Sequence, residues 1–209
     1  YIMDTNLIFE IDKILDPELC NQIIHRFEQD PNKKQSVIIN PIDKSEFHNL
    51  KLRNSKEIHI FSNENNDWTH ISLQLEDILK ECVKMYDTEF RKIVMDIGED
   101  PEFLSRQIWK NTNLQVGYSG FSIQRVEPDT WYRWHHDCNY GKRIMQCIFY
   151  LNTMNEGEGG TTRFISGREV KPEVGKVLMF PTSWSNFHSG SHIFKKPKYI
   201  CTTSLYLQN

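Results

Sequence analysis

The spacing of apolar residues changes partway along this chain. Near its start, Leu7-Ile8-Phe9-Glu10-Ile11 is a short apolar run that reads as a strand. Asp16-Pro17-Glu18 then opens a helix, with Asp as the N-cap and Pro at the first helical position, where its missing N–H is not needed. Leu19, Ile23, Ile24 and Phe27 recur at helical spacing and predict one core-facing side, with His25 toward solvent. Residues 30–56 are polar and broken by Pro31 and Pro41, as expected of short strands and loops. Asp67 is the expected cap of a second, longer helix. Its apolar face is Trp68, Ile71, Leu75, Ile78, Cys82 and Met85, with Glu76, Lys80 and Lys84 outside. Another helical piece is expected over 89–97, before a break at 98–101.

From about Leu114 the period shortens. Segments 121–126, 131–137, 145–151, 161–165, 176–180 and 199–205 are β-branched or aromatic runs separated by turn residues. Residues 143–164 read as a hairpin-like pair of strands around a Gly-rich turn. Helices first and many short strands afterwards predict an α+β fold whose strands close into a sandwich or barrel. With no repeat, low-complexity tract or linker, one domain is expected over 1–209, with helical support to about 110 and a β core from about 111.

Composition narrows the function classes. The 209 residues are 38% hydrophobic and 12% aromatic, enough for a globular core. A net charge of −3 provides no general attraction to nucleic acid. No apolar run reaches the length of a membrane span, and no charged start precedes an apolar secretory segment. The five cysteines are odd in number, widely spread and without C-x-x-C, so a cytoplasmic, reducing setting is expected rather than a disulfide framework or zinc site.

The candidate chemistry centres on Trp134-His135-His136-Asp137. On an extended strand His135 and Asp137 share a face, while His136 and Cys138 point the other way. Two imidazoles and a carboxylate on one face of a metal form the ligand set of non-haem Fe(II) oxygenases. The third ligand is His188 or His192, and Lys198 lies ten residues beyond the first of these. His48, His59 and His70 have no partner at ligand spacing. Trp131, Trp134, Tyr140, Trp184 and Phe187 cluster near these motifs, as core or as a groove wall.

From about Gln124 to Ser204 the chain resembles the prolyl 4-hydroxylase family of 2-oxoglutarate-dependent dioxygenases. Tyr132 matches the family's Tyr three residues before the His, a substrate-pocket position. Val126 and Asp129 replace the Tyr and Gly of the same pattern, and that Tyr holds the distal carboxylate of the co-substrate in the family. Arg143 to Asn152 looks like the strand ending Phe-Tyr-Leu-Asn, with Arg143 at a position that contacts peptide substrate. Gly159-Gly160-Thr161-Thr162-Arg163-Phe164 resembles Gly-Gly-x-Thr-x-Phe, so Thr162 would touch the co-substrate. Pro172 to Phe180 is like the strand-turn-strand that leads to the distal His. The family spacing favours His188 over His192 and makes Lys198 the co-substrate anchor; a buried carboxylate needs such a cation. Lys195 and Lys196 read as a solvated basic run. Where the family has a Trp six residues after the Lys, this chain has Ser204.

The resemblance implies a double-stranded β-helix, a distorted jelly roll, with the N-terminal helices packed outside. It implies iron on His135, Asp137 and His188, and 2-oxoglutarate held by Lys198 and Thr162. The substrate would be a peptide or protein, lined by Tyr132, Arg143 and Trp184. O2 is the other co-substrate and ascorbate an accessory. The reaction would be prolyl hydroxylation with release of succinate and CO2. Two alternatives stay open: an oxygenase of lysine, a free amino acid or a nucleobase, and a cupin-like module that binds metal without turnover. A metal-only module has no need of Lys198.

Overall fold

The computed structural model describes residues 2–4, 7–39, 45–47, 53–64, 66–109, 117–138 and 143–206. His48, Leu114 and Tyr140 lie outside them. The first part contains β1 (Ile2–Met3), β2 (Phe9–Ile11), α1 (Pro17–Gln29), β3 (Lys34–Gln35), β4 (Ile38–Ile39), β5 (Glu46–Phe47) and β6 (Ser55–Ile60). Helices α2 (Thr69–Asp96) and α3 (Pro101–Trp109) follow. Then come β7 (Gly117–Tyr118), β8 (Phe121–Val126), β9 (Tyr132–His135), β10 (Arg143–Tyr150), β11 (Thr162–Phe164), β12 (Glu169–Val170) and β13 (Val177–Pro181). A 3-10 turn (Trp184–Asn186) precedes β14 (His188–Gly190) and β15 (Lys198–Tyr206).

The helix starts follow local hydrogen bonding. Asp16 Oδ1 accepts the Glu18 N–H at 2.8 Å, as expected. Asp67 does not cap α2, which begins at Thr69. Asn66 Oδ1 takes the Trp68 N–H at 2.8 Å instead, and Asp67 pairs with Arg26 at 2.7 Å. The piece expected over 89–97 is the end of α2 itself, because no Gly or Pro interrupts the helix before Gly98, at φ +81°. Helix α3 was not foreseen, although Asp100-Pro101 repeats the Asp16-Pro17 signal and Asp100 Oδ1 accepts from Glu102 N. Buried Asp87 ties α3 to α2 by accepting from Ser105 Oγ and Trp109 Nε1.

Among the described residues, the large sheet has nine antiparallel strands in the order β1-β2-β13-β10-β15-β8-β6-β3, with β7 also on β15. A second sheet runs β12-β11-β14-β9, and β4 pairs β5. Residues 143–164 are therefore not a hairpin. β10 pairs with β13 and β15, whereas β11 pairs with β12 and β14. The Gly-rich segment between them crosses from one sheet to the other.

Strand parity separates two cores. Cys147 and Phe149 of β10, with Val177 and Met179 of β13, pack under α1 and α2 beside Ile23, Phe27, Leu75, Cys82 and Tyr86. Their alternate neighbours Ile148, Tyr150, Leu178 and Phe180 pack toward Phe164 and Val170 of the second sheet. The helices thus cover one face of the large sheet, and the second sheet covers part of the other. All five cysteines are unpaired. No helix among the described residues is long and apolar enough to cross a membrane.

Candidate active site

Strands β9 and β14 lie side by side with His135 paired to His188, and the two rings are 4.2 Å apart. β9 ends at His135, so the segment after the strand delivers Asp137. Asp137 Oδ1 lies 3.8 Å from His135 Nε2, and its Oδ2 lies 3.4 Å from His188 Nε2. One ligand atom from each of the three residues falls within 4.8 Å of the other two. The backbone orients both rings: His135 Nδ1 meets Arg133 O at 2.9 Å, and His188 Nδ1 meets Asn186 O at 3.1 Å. With Nδ1–H donating to these carbonyls, both Nε2 lone pairs are directed at the carboxylate, as metal-binding histidines require. Burial, then the neighbouring His188, pushes the His135 pKa down to about 4, and burial also lowers that of His188. Both rings are therefore neutral at neutral pH and free to ligate. An ion bonded at roughly 2.0–2.2 Å to each atom spans such separations, so the set fits one divalent metal.

His192 is not part of this cluster. Its ring stacks on Trp131 at 6.2 Å and meets Phe194 at 4.6 Å. His136 turns its ring edge-on to Phe187 at 5.0 Å. Lys195 is exposed and Lys196 pairs with Glu158, whereas Lys198 is buried.

Lys198 opens β15 and pairs directly with Val126 of β8. Its ammonium donates to Gly160 O at 2.9 Å. Burial alone lowers its pKa to about 8. The Gly pair explains this contact. Gly159 has φ +73°, and a Cβ there would fall 1.8 Å from His192 O. Gly160, at φ +79°, accepts the lysine. Two residues further on, buried Thr162 shares a 2.7 Å hydrogen bond with Tyr150 Oη. Tyr150 pairs with Ile200 of β15, on the Lys198 face. A cation and two hydroxyls thus line one end of the inner face, a fitting receptor for a carboxylate. Tyr150 reads in the sequence as one more core aromatic; its signal is the inward parity it shares with Ile148.

Of the expected substrate residues, Tyr132 stands 4.2 Å from the His135 ring and carries the Arg53 guanidinium over its own ring at 5.2 Å. Arg53 also bonds Glu57 at 3.1 Å and Gln124 at 3.3 Å. Arg143 Nε donates to Tyr206 Oη at 3.1 Å, where β10 shifts register between Arg143 and Met145. Trp184 is 76% exposed on its 3-10 turn. Ser204, at the family's Trp position, donates to Gln146 Oε1 at 2.6 Å.

The His135-Asp137-His188 cluster is the ligand set of non-haem Fe(II) oxygenases, and the inner face of the large sheet adds a buried lysine. The family model of the 2OG-Fe(II) oxygenase superfamily matches residues 121–206, from the start of β8 to the end of β15. Fe(II) and 2-oxoglutarate are the metal and co-substrate of that superfamily. Among solved structures, the chain is similar to a viral collagen prolyl hydroxylase from Paramecium bursaria Chlorella virus-1, in complex with 2-oxoglutarate. The TM-score is 0.67 at 15% identity, over 100% of each chain. It is also similar to a Trichoplax adhaerens prolyl hydroxylase in complex with a hypoxia-inducible-factor peptide fragment, at TM-score 0.68 and 15% identity, over 97% of this chain and 84% of that one. A Pseudomonas putida prolyl-4-hydroxylase gives TM-score 0.62 at 13% identity, over 97% and 94%. The curated proteins contain no significant match. The prolyl 4-hydroxylase-like resemblance read from the motifs is therefore matched in fold by these structures, and over residues 121–206 by the superfamily model.

Proposed function

We propose that this protein is an Fe(II)- and 2-oxoglutarate-dependent dioxygenase that hydroxylates prolyl residues in peptides or proteins. The two sheets are read as its double-stranded β-helix, and 1–209 as one catalytic domain. The observation that carries the proposal is Lys198. A buried ammonium with a single carbonyl partner among the described residues needs an anion, and it lies on the inner face of the large sheet, as does the ring of Phe180 that packs on His188. A module that only bound metal would gain nothing from it.

When bound, iron with 2-oxoglutarate supplies the oxidising chemistry, releasing succinate and CO2 as one oxygen atom of O2 enters a substrate C–H bond. The chain's own residues hold and orient. His135, Asp137 and His188 would hold the metal. Lys198 receives the distal carboxylate, with Thr162 and Tyr150 as hydroxyl partners. Val126 provides no side-chain hydrogen bond, so these three take the whole of that contact. Tyr132 and Arg143 line the side open to substrate, with exposed Trp184 at the rim.

The prolyl assignment is supported by Tyr132, Arg143 and likeness in fold to three prolyl hydroxylases. Ser204 favours a second reading, a lysyl or free amino acid substrate, because it removes an aromatic wall. Proline-rich and lysine-containing peptides, incubated side by side with iron-loaded protein and mapped by tandem mass spectrometry, separate the two. Oxygen on proline is expected; oxygen only on lysine or on free amino acids would overturn the prolyl assignment.

A further inference from the structure

Along the inner face of β15 stand Lys198, Ile200, Thr202, Ser204 and Tyr206, two residues apart. Ser204 is paired with Gln146 of β10, and Gln146 with Phe180 of β13. The Phe180 ring lies 4.8 Å from that of His188. Directly paired residues keep their Cβ atoms roughly 4.5–5.5 Å apart. Gln146 therefore stands one strand from the ring that packs on a metal-site histidine. Past the register shift, Arg143 is paired with Tyr206 on the same side of this strand pair.

Ser204 is 4% exposed, and its hydroxyl donates to Gln146 Oε1 at 2.6 Å. In this arrangement the amide oxygen faces β15 and Nε2 faces away. Among the described residues no protein group accepts from Nε2, although Gln146 is half-buried. An amide with its oxygen engaged and its N–H2 free at a half-buried wall is a donor suited to a substrate acceptor. A prolyl peptide matches this need. Its nitrogen carries no hydrogen, so around the ring the peptide offers a carbonyl acceptor without the usual donor.

We propose that Gln146 binds the peptide carbonyl of the residue being hydroxylated, and that Ser204 is the positioning residue that aims it. The inference rests on the prolyl reading above and adds a named contact to it. A hydrogen-bonding wall replaces the family's aromatic one at this place.

The test uses iron-loaded protein, a proline-containing peptide, and the same peptide with the amide after the target proline replaced by a trans-alkene, which keeps the shape and removes the acceptor. The wild type should prefer the natural peptide about tenfold in kcat/KM, the worth of one neutral hydrogen bond. Gln146→Leu should lose that preference, mainly through KM. Ser204→Ala should lose part of it and Ser204→Thr should restore it; this pair leaves Gln146 intact and keeps the test valid if Gln146→Leu does not fold. An unchanged preference in Gln146→Leu, or in Ser204→Ala should that be the variant that folds, would overturn the proposal alone. Succinate release without turnover of any prolyl peptide by the wild type would overturn the prolyl reading and this proposal with it.

Discussion

Lys198 does at the residue scale what no surface lysine does: it places an ammonium out of water with one carbonyl partner among the described residues. Its substitution by Ala should weaken 2-oxoglutarate binding by roughly ten- to a hundredfold, the range for a hydrogen bond to a charged group of about 1.5–3 kcal/mol. Iron affinity should change little, and titration of 2-oxoglutarate into metal-loaded protein reads both. The pH dependence has a definite sign. Burial lowers the lysine from 10.5 to about 8, so above pH 8 the free protein sheds a proton that binding must restore. Affinity should therefore fall by about fivefold between pH 8 and 9 and change little between 6.5 and 7.5. By the same linkage, the stability of the ligand-free protein gains from this group between about pH 8 and 10.5, where the unfolded chain still holds the proton. Lys198 was legible because its spacing from His188 matched a family pattern. Tyr150 was not, because an inward Tyr in an apolar strand looks like packing. Neither was the Ser204–Gln146 bond, whose partners are 58 positions apart and meet only through strand pairing.

At the scale of elements, two backbone positions are under constraint. Asp129 stands where the family pattern has Gly, and its φ is +59°. The loop before β9 needs a left-handed residue there, which Asp tolerates better than most. Asp129→Gly should be neutral within about 0.5 kcal/mol, because relief of the backbone is offset by unfolded-chain entropy. Asp129→Val should cost about 1–2 kcal/mol and lower Tm by several degrees in a thermal melt. Gly159→Ala meets both a positive φ and the His192 carbonyl. It should lower Tm and, by moving the Gly160 carbonyl away from Lys198, weaken 2-oxoglutarate as well; an unaltered melt and affinity would show that the loop is not held as described. Strand positions were readable from two-residue periodicity, as β8 over Phe121–Val126 shows. Sheet membership was not, because β10 finds its partners in β13 and β15 rather than in the next strand along. The start of α1 was readable at Asp16-Pro17, that of α3 was missed despite the same signal at Asp100-Pro101, and that of α2 was misplaced by one position at Asp67.

Across the whole molecule, the large sheet holds apart two functions of the chain. Its helix-covered face carries most of the apolar core, including Phe27, Tyr86 and Phe149. Its other face is apolar around β10 and β13, with Ile200 beside them, and polar where Gln124 bonds Thr202 and Ser204 bonds Gln146. That division gives the site a rigid back wall and a hydrogen-bonding front. On the second sheet, β9 and β14 carry the two neutral imidazoles, His188 buried and His135 half-buried. We propose that 2-oxoglutarate-dependent oxidation takes place at His135, Asp137 and His188. Succinate formation from 2-oxoglutarate, with and without Fe(II), tests it most directly when the wild type is compared with Asp137→Ala, His188→Ala and His192→Ala. Iron-dependent succinate from the wild type and His192→Ala, with at least a hundredfold loss in Asp137→Ala and His188→Ala, is the predicted result. Turnover that survives in His188→Ala and vanishes in His192→Ala, or no iron-dependent succinate from the wild type, would contradict it.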